Sequence, residues 1–110
     1  MGWNINFYSD KVVKDLLSLP PDIQGNFGYI LDTMKVQGPN LGMPKTKAFG
    51  QGLFEIRARG ESGIARGFFC TVHGKKIVIL HVFSKKTQET PKKDLELAKK
   101  RMKEVKAYDI

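Results

Sequence analysis

The spacing of hydrophobic residues changes several times along the chain, and each change marks an element. Residues 4–8, Asn-Ile-Asn-Phe-Tyr, alternate and predict a short strand with Ile5 and Phe7 on one face. Ser9 then suits a helix N-cap and Asp10 the first turn, where a carboxylate complements the helix dipole. Val12, Val13, Leu16 and Leu17 follow at helical spacing. Leu19-Pro20-Pro21 ends that helix, because a residue before proline is driven out of the α region, and the prolines open the next. In the second helix Ile23, Phe27, Ile30, Leu31 and Met34 form one apolar stripe. Gly25 and Gly28 weaken this helix and Gly38-Pro39 stops it. The two helices read as a hairpin packed on a sheet.

The period then shortens to two. Asn40 to Pro44 is a loop, Lys45 to Phe49 a short extended piece and Gly50-Gln51-Gly52 a break. From Leu53 to Arg59 the alternation is clean: Phe54, Ile56 and Ala58 face one way, and Glu55, Arg57 and Arg59 the other. Gly60 to Gly63 turns the chain into a strand from Ile64 to Val72, on which Arg66 shares a face with Ile64, Phe68 and Cys70. His73-Gly74-Lys75 is a hairpin turn, and Ile77 to Phe83 is apolar on both faces, as a central strand should be. Thr90 as N-cap and Pro91 at the first helical position open a last helix with Leu95, Ala98, Met102 and Val105 on its apolar stripe. The order β-α-α-β-β-β-α predicts an α+β fold over residues 1–110, one domain with helices packed on a small, mainly antiparallel sheet.

Composition supports a globular chain. Of 110 residues 41% are hydrophobic, too many for a disordered segment, and no apolar run approaches the roughly 18 residues of a membrane span. The first residues lack the basic start and apolar stretch of a signal peptide. A single cysteine excludes an internal disulfide and fits a reducing compartment, so a cytoplasmic protein is expected. The net charge is +8 and unevenly placed: residues 1–44 carry three basic and four acidic side chains, 45–84 seven and two, 85–110 nine and five. A cationic field over the later part of a small domain favours a polyanionic partner, though a solvated surface accounts for charge alone equally well.

Candidate chemistry narrows quickly. Two histidines, His73 and His81, with one cysteine make no metal set, and there is neither a P-loop nor a dinucleotide glycine pattern, so no cofactor is expected. His81, inside an apolar strand, reads as a hydrogen-bonded core residue and Cys70 as a small core residue. What remains is cationic: Arg57 and Arg59 beside Glu55, Arg66 among apolar neighbours, and Lys85-Lys86-Thr87 directly after the apolar strand. A face ringed by such groups can hold a phosphodiester and neutralise charge developing on phosphorus.

Three runs carry a resemblance: Gly52 to Arg57, Gly63-Ile-Ala-Arg-Gly-Phe-Phe69, and Ile77 to Pro91 with its Phe-Ser-Lys-Lys-Thr-Gln-Glu-Thr-Pro ending. Together they resemble the phage-derived HigB-like toxins of the RelE/ParE superfamily, over nearly the whole chain. The resemblance implies a RelE-like fold and an endoribonuclease that cleaves mRNA on the ribosome without a metal. It implies Arg66 at the scissile phosphate, Lys86 beside Lys85 in the basic pair after the last strand as a second catalytic cation, and Glu55 and Arg57 as a catalytic Glu-x-Arg with Glu55 a candidate base. Lys85, Thr87, Arg59 and Lys47 are the expected RNA contacts. Tyr108 is the one late tyrosine available as acid or base, and Ala65 stands where relatives often have tyrosine. Such a toxin has a cognate antitoxin, often of helix-turn-helix type, and no membrane role. Two other readings stand beside it: a non-catalytic RNA- or ribosome-binding module, and a ParE-like gyrase inhibitor.

Overall fold

The computed structural model describes residues 2–84 and 91–108. Its elements are β1 (Asn4–Phe7), α1 (Asp10–Leu17), α2 (Pro21–Gln37), β2 (Thr46–Gly50), β3 (Leu53–Gly60), β4 (Gly63–Val72), β5 (Lys76–Ser84) and α3 (Lys92–Tyr108). The short extended piece at Lys45 to Phe49 is thus a strand, β2, added to the order read from the sequence. Thr90, expected as the N-cap of the last helix, lies outside the described residues; the Pro91 carbonyl accepts the Leu95 N–H at the helix start.

The five strands form one sheet in the order β1-β5-β4-β3-β2. β2 through β5 make the antiparallel meander, while β1 pairs in parallel with β5, Ile5 opposite Ile77 and Phe7 opposite Ile79. The sheet is therefore mixed at one edge, and β5 is interior, which is why it is apolar on both faces. A register shift between Phe68 and Phe69 leaves Leu80 as the extra residue on β5, and Leu80 packs with Val78 against α3 while the neighbouring His81 also turns to that helix.

Each face of the sheet is covered. The α2 stripe of Ile23, Phe27, Ile30, Leu31 and Met34 is buried against Ile56, Ala58, Ala65 and Phe69, together with Val12 and Leu16 of α1. Leu17, at helical spacing with these, is exposed instead. On the other face Ala98, Met102 and Val105 of α3 pack on Leu53, Phe68, Cys70 and Val78. Polar ties fix α3: the Tyr8 hydroxyl donates to Glu104 Oε2 at 2.6 Å, and Arg101 donates to the Leu80 carbonyl while lying 4.7 Å from the Tyr8 ring centre. The bond to Glu104 pushes the Tyr8 phenol above its ordinary value. Gly67 sits under α2, where a Cβ would meet the tip of the Phe27 ring at 2.7 Å, so glycine is what lets helix and sheet approach.

Two consequences can be measured. A Cβ at Gly25 or Gly28 would meet nothing within 4 Å. Gly25→Ala and Gly28→Ala should each stabilise the fold by about 0.5–1 kcal/mol, since glycine costs that much inside a helix. Urea titration checks this, and a fall in the midpoint would refute it. Burial pushes the Cys70 thiol up to about 11. A disulfide reagent at pH 8 should therefore find no reactive thiol in the native protein and the single cysteine only after denaturation.

Candidate nucleic-acid interface

The alternation on β3 sends Glu55 and Arg57 to one face, and the β3–β4 register sets Arg57 directly opposite Arg66. Two like charges so placed repel. Glu55, two residues back on β3, lies between them: Arg57 Nε donates to Oε1 at 2.9 Å, and Arg66 Nη1 is 3.8 Å from Oε2. The carboxylate is fully buried and the Arg66 side chain is 1% exposed, whereas Arg57 keeps 23% of its side chain open. Burying either charge alone would be costly, so each depends on the others. Arg57 stands at the accessible end of the group, with Arg66 behind.

The fold opens a cleft beside this group. Thr46 opposite Ile56 is the last strand pair between β2 and β3, so beyond Ile56 the outer edge of β3 meets loop rather than strand, and Arg57 N donates to the Lys45 carbonyl. The cleft holds about 370 Å³ and is lined by Asn26, Tyr29 and Ile30 of α2, Pro44 and Lys45 of the loop, Arg57 and Arg59 of β3, and Ile64 and Arg66 of β4. Four of these residues are cationic and, among the described residues, none is acidic. Its walls are pinned at one end by α2. Asp22 accepts the Ser62 N–H at 2.9 Å, which holds its carboxyl below the ordinary range, and the Asn26 amide donates to the Arg59 carbonyl.

Of the residues singled out from the sequence, Arg57, Arg59 and Arg66 come together in this cleft, with Glu55 bound to two of them. Lys47 does not line it; it is exposed on β2 with its ammonium 5.3 Å from the Phe49 ring centre. Lys85, Lys86 and Thr87 lie outside the described residues. Tyr108 is exposed at the end of α3 and is not part of the cleft. His81 is hydrogen-bonded, 2.6 Å from Asp94 Oδ1, and stacks on Phe83. Among the described residues no three histidine, cysteine, aspartate or glutamate side chains gather as a metal site, and no helix is long and apolar enough to cross a membrane.

Asn26, Tyr29 and Lys45 are the cleft residues that the sequence reading passed over. Tyr29 carries a signal in retrospect: it is a large aromatic lying off the apolar stripe of α2, and its residue is 63% exposed.

The family described as phage-derived protein Gp49-like (DUF891) matches residues 14–103. The chain belongs to the Gp49-like family. That match runs from within α1 to within α3 and so includes every element that lines the cleft. The Gp49-like chain also has a RelE-like α+β fold. A chain of the crystal structure of the archaeal RelE–RelB complex from Pyrococcus horikoshii OT3 is similar to it with a TM-score of 0.51 and 23% identity, covering 76% of this chain and 96% of that one. No curated protein matches the sequence.

Proposed function

We propose that this protein is the toxin of a type II toxin–antitoxin pair, HigB-like in kind, and acts in the cytoplasm as a metal-independent endoribonuclease on ribosome-bound mRNA. The observation that carries the reading is the cleft in which Lys45, Arg57, Arg59 and Arg66 converge, with no acid in the lining among the described residues. RNA cleavage by its own 2′-hydroxyl needs in-line geometry and stabilisation of charge on the phosphorane. Arg57 is the guanidinium presented to the phosphate, with Arg66 behind it adding field, and Glu55 holds both in place. Arg59 and Lys45 engage the flanking phosphates. Lys85, Lys86 and Thr87 follow Ser84, whose partner on β4 is Ala65 next to Arg66, and supply further contacts to the RNA. The ribosome and mRNA supply the remaining orientation, so the free protein cleaves naked RNA poorly. An antitoxin with an acidic segment would cover the same cations by charge complementarity.

Primer extension on mRNA from a purified translation reaction tests the proposal. Discrete breaks within codons are expected when the protein is added and are absent without it. Translation that continues with intact mRNA would reject the nuclease reading in favour of gyrase inhibition or plain RNA binding, which topoisomerase and filter-binding assays then separate.

A further inference from the structure

The cleft has one wall that phosphate chemistry does not use. Asn26, Tyr29 and Ile30 fall at i, i+3 and i+4 on α2 and so share one strip of the helix surface, which lines the cleft together with the arginines. Tyr29 is 63% exposed, although it lines a cavity. The Lys45 ammonium lies 5.4 Å from its ring centre, a cation–π contact that braces the ring from the loop side. An aromatic ring and arginines lining the same cleft match the two halves of a nucleotide, a π-faced base and a phosphate. At about 370 Å³ the cleft is at the small end of ligand sites (roughly 300–1,000 Å³), room for one nucleotide and not for a base pair.

We infer that Tyr29 is the base-stacking platform of the cleft, and that the cleft takes one unpaired nucleotide of RNA with its base on Tyr29 and its phosphate at Arg57 and Arg59. This rests on the RNA reading above and adds to it a selection for single strands. Stacking is indifferent to base identity, so Tyr29 gives affinity and strandedness rather than sequence preference.

The test is equilibrium binding, at low salt, of a fluorescein-labelled 2′-O-methyl RNA hexamer, which cannot be cleaved, alone and annealed to its complement. The wild type should bind the single strand at least about tenfold more tightly than the duplex. Tyr29→Ala should weaken single-strand binding by about fivefold or more, a loss in the range measured for one base–aromatic stack. Tyr29→Phe and Tyr29→Trp should restore it, because the ring and not the hydroxyl is the working part. The salt slope should stay unchanged in Tyr29→Ala and fall in Arg59→Ala. Equal binding by Tyr29→Ala and wild type, or equal binding of single strand and duplex, overturns the inference while leaving mRNA cleavage standing. A wild type that binds neither probe overturns both the stacking role and the cleft as an RNA site. Since Tyr29 is exposed, these variants should keep the wild-type melting temperature, and a matching thermal scan establishes that.

Discussion

Glu55→Gln is expected to destabilise the fold by about 3–5 kcal/mol, the usual cost of removing one member of a buried ion pair. The amide keeps the shape of the side chain but leaves Arg66, 1% exposed, and its cross-strand neighbour Arg57 without the carboxylate they share. For a domain of this size each kcal/mol moves the melting temperature by roughly 4–8 °C, so a fall of about 12 °C or more should be seen. Urea unfolding followed by circular dichroism gives the free energy directly. The double variant Glu55→Gln/Arg66→Met should recover much of the loss, since an apolar side chain of similar length often replaces a buried ion at little cost. A single variant within about 1 kcal/mol of wild type would show that Arg66 is not held by the carboxylate and that the cluster is only adjacent charge.

The dependence of Glu55 on its two arginines also explains which parts of the molecule were legible in the sequence. Alternation with period two is a local signal, and from it follow the shared face of Glu55, Arg57 and Arg59 and the apolar faces that receive α2 and α3. The α2 stripe was legible for the same reason: all five of its predicted members are buried. Arg66 stood out because a cation between Ile64 and Phe68 breaks the pattern. What the sequence could not show is long-range. Nothing local distinguishes a parallel pairing of β1 with β5 from an antiparallel one, since the partner lies some seventy residues away. Leu80 reads as one more apolar residue until the bulge makes it extra. Lys45 and Tyr29 become part of the site only because the loop after α2 returns along the edge of β3; Tyr29, an aromatic off the α2 stripe, leaves a local trace of this, whereas Lys45 does not depart from what a surface position permits. The pinning role of Glu55 likewise depends on the β3–β4 register, which sets Arg66 opposite Arg57 rather than one residue to either side.

Burial decides which arginine can test the chemistry. Arg66→Ala removes a guanidinium from the core, so a loss of activity in that variant would be confounded by a loss of folding. Arg57 is partly open to the cleft and is the cleaner probe. In the ribosome reaction Arg57→Ala should lower kcat by about 10²–10³-fold, the usual effect of losing one donor aimed at developing charge, with KM little changed. Arg57→Lys should stay impaired, because an ammonium cannot replace the planar fork that spans Glu55 and a phosphate oxygen together. Arg59→Ala should do the reverse, raising KM, with kcat close to wild type, as a group that only positions the strand does. If instead the Arg57 and Arg59 variants both lose affinity and salt dependence in step, with no separate effect on turnover, the cleft is a binding surface and the cleavage chemistry belongs elsewhere.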